Sequence, residues 1–244
     1  MLHSVMLKAE PFVLRALSPI LKGKRGRLQR SIMAQKYLVG SGAEIGAFEQ
    51  PTLVPHGAST TYIDRVPSSH WRNHPEYAGL TLVEPDILDD GATLGSVADA
   101  SFDYLVAAHM LEHVDNPIAA LKNWTRVVKK GGYLLIIVPD MRFTFDSERE
   151  VTTVEHLIRD HEQGPAASAN EHYREIATKC DGLTDPSAIE AFVAKAQPAV
   201  HFHTFTLESF VEFLLAANRH LGGPLELIEA QLNIYEDIAV LRVR

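Results

Sequence analysis

The chain has 244 residues, 46% of them apolar and 22% charged, which suffices for one large domain or one domain with a sizeable insertion around a full core. Acidic residues outnumber basic ones 31 to 23, for a net charge of −8, and this argues against nucleic acid as the main partner because phosphate binding needs a basic face. The single cysteine, Cys180, excludes an intramolecular disulfide and fits a reducing, cytoplasmic setting, and no apolar run reaches the roughly 18 residues a membrane span requires.

The chain opens on an unusual stretch. PFVLRALSPILKGKRGRLQR (11–30) mixes apolar residues with Arg15, Lys22, Lys24, Arg25, Arg27 and Arg30. As a signal peptide it fails, since Arg15 and two prolines interrupt the apolar run. It reads as a helical cap within residues 1–40 followed by a basic, solvated turn. The alternative is peripheral contact with a membrane surface through an amphipathic helix.

From residue 42 the pattern alternates between strand and helix. GAEIG (42–46), STTYID (59–64) and LTLVEPD (80–86) are short apolar or β-branched runs, the last two ending in an acid. FDYLVAAH (102–109) and YLLIIVPD (133–140) are near-continuous apolar runs, the kind buried on both faces of a parallel sheet. Between them Asp115 or Asn116 can cap a helix with Pro117 in its first turn. Ile118, Leu121, Trp124 and Val128 form its apolar stripe, and Gly131 and Gly132 end it. Such alternation predicts an α/β fold.

The C-terminus departs from that alternation. TLESFVEFLLAANRHL (206–221) predicts a helix capped by Thr206, and the runs 224–235 and 237–244 leave no room for a crossover, so they should pair as an antiparallel hairpin at the sheet edge. The core is therefore expected over 41–140 and 204–244. Residues 141–203 form an insertion too long for a bare loop, with a Thr152-x-x-Glu155 capping box opening one short helix and DPSAIEAFVAKA (185–196) another.

In an open parallel sheet, ligands bind beyond the carboxyl ends of the strands, where the strand order switches. Glu44 with Gly46, Asp64, Asp86, His109 and Asp140 stand at those predicted ends. An acid ending the second strand can accept from both hydroxyls of a ribose, which suits NAD and S-adenosylmethionine alike. The first loop separates the two. A dinucleotide needs a glycine-rich turn against pyrophosphate, whereas Gly46 is followed by AFEQPTLVPHG, with two prolines and no further glycine until Gly57.

Residues 42–140 resemble the class I S-adenosylmethionine-dependent methyltransferases. GAEIGAF is similar to the family's first motif, YID to the second and EPDILDD to the third, and FDYLVAAHMLEHVDNPIAAL…VVKKGGYLLIIVPD covers its fourth and fifth strands. The stretch DMRFTFDSEREVTTVEHLIRDHEQGP (140–165) further resembles bacterial members associated with glycan assembly. The resemblance implies a Rossmann-like, mostly parallel seven-stranded sheet with a C-terminal antiparallel hairpin, and 141–203 as a substrate lid. It implies that Gly46 and Ala47 approach the cofactor, Asp64 and Arg65 the ribose, Asp86 and Ile87 the adenine, His109 the methionine end, and Glu44 the loop and the cofactor's amino group.

His109, Glu112 and His113 have the His-x-x-Glu-His spacing of an inverted zinc-protease motif. That motif needs one continuous helix, yet His109 ends a predicted strand and Pro117 starts a new helix only four residues past His113. The stretch is also similar to a Glu-x-x-Glu-His segment of ubiquinone-biosynthesis O-methyltransferases that is associated with a divalent cation, so His109, Glu112 and His113 are candidate ligands. The plain alternative is local hydrogen bonding.

The expected activity is methyl transfer from S-adenosylmethionine to a hydroxyl of a sugar, glycan or other small acceptor by in-line displacement. A base must then take the hydroxyl proton, and the candidates are His109, His113, His172, His201 and His203, with Asp140 or Asp146 orienting one of them. Two rival readings are an NAD-dependent oxidoreductase on a similar sheet and a non-catalytic S-adenosylmethionine-binding accessory protein. Oligomeric state is not readable from the sequence.

Overall fold

The computed structural model describes residues 24–72, 74, 77, 79–195 and 200–244. Most of the expected N-terminal cap, and the apolar half of the stretch proposed for membrane contact, lie outside these residues. The rest forms a seven-stranded sheet, β1 (Ser41–Ile45), β2 (Ser59–Asp64), β3 (Ile87–Leu88), β4 (Phe102–Ala108), β5 (Val128–Pro139), β6 (Leu225–Asn233) and β7 (Glu236–Val243). Their order across the sheet is β3-β2-β1-β4-β5-β7-β6. All pairs are parallel except those of β7, which runs antiparallel to both β5 and β6. This is the expected α/β architecture with its terminal hairpin.

The central strands are apolar throughout because both faces are covered, and alternate residues serve the two faces. Leu105, Ala107, Leu134, Ile136, Ala239 and Leu241 join one cluster with Ile118, Leu121 and Trp124 of helix α3 (Pro117–Val127) and Phe210, Phe213 and Leu214 of α7 (Leu207–His220). Tyr104, Val106, Leu135, Ile137, Ile238 and Val240 pack on the other side against Met33 and Ala34 of α1 (Lys24–Tyr37) and against Leu38. The helix α2 (Ser68–Arg72) follows β2. Three more helices, α4 (Val154–Gln163), α5 (Ala169–Lys179) and α6 (Pro186–Lys195), fill the segment between β5 and α7.

Several local expectations change. Lys24–Arg30 are helical rather than a basic turn, and Arg30 is drawn inward by a carboxylate on the hairpin. LTLVEPD (80–86) is not a strand. Pro85 has no N–H for a ladder, and only Ile87 and Leu88 pair, with Ile63 and Asp64. Asp86 therefore precedes β3 and lies level with Tyr62, whose N–H donates to its carboxylate at 2.8 Å. Helix α3 stops at Val127, and Gly131, at φ +83°, turns the chain inside an irregular start to β5 instead of ending the helix.

Caps also shift by a residue. Asn116 caps α3 by accepting from Ala119 N at 3.0 Å, and Thr153 rather than Thr152 caps α4. Thr152 is held by Thr204 instead. Helix α5 was not expected. Thr206 caps α7 as predicted, in a reciprocal box with Ser209. Thr206→Ala should cost about 0.5–2 kcal/mol, and urea unfolding of the variant checks it.

Candidate active site at the switch of strand order

The chain runs outward through β1, β2 and β3, then returns to place β4 on the other side of β1. The crevice between the carboxyl ends of β1 and β4 is where an α/β sheet takes ligands. It opens as a cleft of about 710 Å³. Its floor holds Glu44, Gly46, Ala47, Ala108 and His109, and its walls include Arg30 of α1, Phe143, Phe145, His201, and Asn233 and Glu236 of the hairpin.

Gly46 ends β1 at φ +63°, a conformation that strains any residue with a Cβ, and a Cβ there would meet nothing within 4 Å. The backbone thus leaves open space where a ligand can come close. Beyond it the glycine-poor loop is held by other means. Both Glu44 carboxylate oxygens accept from Thr52, from its N–H at 2.9 and 3.1 Å and from its hydroxyl at 2.8 Å. Burial raises the Glu44 pKa and the Thr52 bonds act against it. Phe48 packs edge-on against Tyr77 at 5.0 Å and Trp71 at 6.1 Å, tying the loop to the segment after β2.

Asp64 ends β2 as expected, half-buried, and its carboxylate accepts a 3.3 Å bond from Val66 N. Asp64, Arg65, Asp86 and Ile87 lie off the lining of the cleft, along the ends of β2 and β3.

His109 follows β4 in the left-handed region at φ +51°, and its N–H donates to Ile137 O. That kink turns its ring across the cleft toward Glu236, whose Oε2 it meets through Nε2 at 2.9 Å. The same carboxylate accepts from Arg30 Nε at 2.8 Å, from Arg30 Nη2, and from Asn233 Nδ2 at 2.7 Å. Burial works against charging His109, but Glu112 and Glu236 outweigh it and raise its pKa to about 9. Burial likewise opposes ionising Glu236, yet Arg30 and His109 lower it to about 2. At neutral pH the three groups form a charged triad joining α1, β4 and the hairpin.

The His-x-x-Glu-His segment is not one helix. After the kink at His109 comes a single 3-10 turn, Leu111–His113, and Val114 is already extended. Glu112 is fully buried, and neither of its carboxylate oxygens makes a hydrogen bond. His109 Nδ1 lies 3.5 Å and His113 Nε2 4.0 Å from its Oε1. Burial would favour its neutral form, but His109, His113 and His201 hold it below the usual carboxylate range. The atoms that come within 4.8 Å of one another belong to Glu112, His113 and His201, so His201 stands where the sequence suggested His109.

Of the predicted bases, His201 stands against a buried acid. Its Nδ1 lies 2.6 Å from Asp146 Oδ2, which leaves Nε2 as the ring's lone-pair nitrogen. Asp146 is itself buried and fixed by Arg149 Nη1 at 2.8 Å and the Thr144 hydroxyl at 3.0 Å. Arg149, also buried, donates onward to the carbonyls of His201 and Phe202, locking that backbone. Arg149 and Thr144 thus hold Asp146 in place, and the Glu112 carbonyl accepts from the N–H groups of Phe202 and His203, fixing the backbone just after His201. Asp140, the other candidate partner, pairs with Arg142 and carries no histidine. His172 and His203 lie in a separate cluster behind the cleft.

Arg30 and Glu236 were not singled out in the sequence. Arg30 sat inside a basic run that reads as solvated, and Glu236 opens an edge strand with no motif around it.

Residues 39–136 match the family described as a methyltransferase domain. The matched segment carries β1 to β4 and most of β5 of the sheet described above. Among solved structures, a candidate Zn-dependent alcohol dehydrogenase from Rhodobacter sphaeroides aligns at 16% identity and TM-score 0.50, over 88% of this chain and 89% of that one. A methyltransferase from Thermotoga maritima, described as a possible histamine N-methyltransferase, aligns at 17% identity and TM-score 0.49, over 97% and 98%. A Methanosarcina mazei methyltransferase gives 17%, 0.45, 85% and 95%. At such identities the first of these likenesses concerns the fold alone. No curated protein matches the chain. No helix among the described residues is long and apolar enough to cross a membrane.

Proposed function

We propose that the chain is an S-adenosylmethionine-dependent methyltransferase that transfers a methyl group to a hydroxyl of a sugar, glycan or similar small acceptor, with the His201–Asp146 pair as its base. The observation that carries this reading is the 2.6 Å contact between His201 Nδ1 and a buried, arginine-fixed Asp146 at the wall of the cleft. When bound, S-adenosylmethionine supplies a methyl group on a positively charged sulfur, an electrophile with a good leaving group. The chain's task is therefore to align the acceptor and remove its proton.

The residues fit that cofactor. Gly46 leaves an open approach at the end of β1, and Asp64 has carboxylate oxygens free for the two ribose hydroxyls. Ala47, Arg65, Asp86 and Ile87 complete the proposed surface along the strand ends. Glu44, with both oxygens on Thr52, acts by holding the first loop.

On the acceptor side, the Asp146 carboxylate accepts a hydrogen bond from Nδ1–H of His201 and so fixes the tautomer, leaving Nε2 as the atom that receives the hydroxyl proton. His109 is set aside as the base because it is already protonated at neutral pH. Its positive charge, with Arg30, instead favours a nearby developing negative charge. Phe143 and Phe145 are 45% and 60% exposed beside the cleft, faces on which a sugar's C–H edge can rest.

A second reading is favoured by the orphaned, buried Glu112 carboxylate. Glu112, His113 and His201 would hold a divalent cation, and two nitrogen ligands favour a transition metal. Such an ion would polarise the acceptor hydroxyl. Turnover that survives chelators would discard it.

Two measurements test the whole. Calorimetry should show S-adenosylhomocysteine binding and NAD not binding, and the reverse would favour an oxidoreductase. Asp64→Ala should weaken S-adenosylhomocysteine about 10–100-fold, the worth of hydrogen bonds to a charged acceptor. A screen of hydroxylated acceptors without any product would leave a non-catalytic binding protein.

A further inference from the structure

Behind the cleft, a second group of side chains converges that the methyl-transfer reading does not use. His156 and Asp160 lie one turn apart on α4, His172 lies on α5, and His203 lies in the segment that leads into α7. One ligand atom from each falls within 4.8 Å of the other three. His156 Nε2 stands 3.0 Å from Asp160 Oδ2 and 3.0 Å from His172 Nε2, and His172 Nε2 stands 3.6 Å from the same oxygen. The rings of His172 and His203 meet edge to face at 5.1 Å.

We propose that His156, Asp160, His172 and His203 form a structural transition-metal site, with zinc the best-matched ion, that pins α4 and α5 to the segment carrying His201. Three imidazole nitrogens and one carboxylate oxygen make a four-coordinate set, closed to substrate, of the type that zinc takes in structural sites.

Two features point to a ligand beyond the clustering itself. Asp160 is 1% exposed and His203 is fully buried, yet neither carboxylate oxygen nor either ring nitrogen makes a hydrogen bond of ordinary geometry. Buried polar atoms left in that state cost about 1–3 kcal/mol each, and one shared cation would engage one such atom of each residue. A separate cavity of about 250 Å³ reaches His156 and His172, and Glu150, Glu171 and Glu175 line it, giving a cation an acidic way in. Arg159 donates to His156 Nδ1 at 2.9 Å and must turn away when Nε2 binds the metal. Its side chain is 43% exposed, and Glu171 at 3.5 Å offers it another partner.

His203 is two residues from His201, and Phe205 just beyond it bridges to Asp140 at the end of β5. The ion would therefore steady the strand-like segment that aims the proposed base, although the site stands whether or not the chain methylates a hydroxyl.

The test uses the full chain with His201→Ala, which leaves only two ligands in the cleft cluster. Stripped with a chelator, this protein should take up one equivalent of zinc, and cobalt(II) should give the visible spectrum of a tetrahedral site. Zinc at 100 times its Kd should raise Tm by about 5–10 °C. Adding Asp160→Asn should weaken uptake about 100-fold or more, since even outer partners of a metal cost 10–100-fold. Should that variant fail to fold, His156→Ala at the rim carries the same expectation. Uptake that is absent, or that persists unchanged in His156→Ala, overturns the proposal.

Discussion

Alanine at position 201 should lower turnover about 10²–10⁴-fold at saturating cofactor, the range for losing a general base. Binding of S-adenosylhomocysteine should stay unchanged, because His201 lines the cleft from the segment that leads into α7 and is not among the strand-end residues proposed to hold the nucleoside. Asp146→Asn should fall in the same direction with the fold kept. An amide at that position can hold the imidazole with its proton on the wrong nitrogen, which is how the corresponding aspartate change acts in the serine-protease triad. The control is His113→Ala. Its ring packs edge-on to His201 at 4.7 Å, and its Nδ1 is engaged by the Val200 carbonyl at 3.0 Å, so its loss should affect alignment more weakly. A His201→Ala enzyme that turns over at the parental rate would remove the dyad from the mechanism.

How far the sequence reached depends on the range of the forces involved. The strands β4 and β5 and the helices α3 and α7 announce themselves because burial writes a local pattern of apolar spacing, and a single residue such as Thr206 marks an end. The edge strand β3 is two residues long, so its pattern was too short to place, and the acid expected at its end slid to the wrong side of it. Asp146 was legible as a candidate orienting acid and His201 as a candidate base, but their pairing spans 55 residues and depends on Arg149 folding that segment back. The triad of Arg30, His109 and Glu236 was invisible for the same reason. It joins residues separated by 79 and 127 positions, and no periodicity encodes such a contact. A buried ion cluster is chosen by tertiary placement, whereas its members look alone like ordinary surface charges.

That triad makes the largest stability prediction. Glu236 accepts from four donors and leaves Arg30, whose side chain is 14% exposed, with no equivalent acceptor if it is changed. Removing one partner of a buried pair costs about 3–5 kcal/mol, and Glu236→Gln should fall near the lower end because the His109 side chain is 40% exposed and still reaches solvent. The pH dependence fixes the cause. His109 has its pKa raised to about 9, so the stability it contributes is full below its unfolded value near 6.5 and is lost as pH rises through 9. Glu236 is lowered to about 2, so its contribution is full above its unfolded value near 4.5 and is lost as pH falls through 2. Both contributions are therefore complete between the two unfolded values. Measured by denaturant unfolding, the gap between parent and Glu236→Gln should be widest near pH 6 and should narrow near pH 10, without closing, because Arg30 stays charged. The His109 ring resonances of the variant should titrate at lower pH than in the parent. A gap that is the same at both pH values would show that Glu236 acts through Arg30 and packing, and that His109 is not held protonated across the mouth of the cleft.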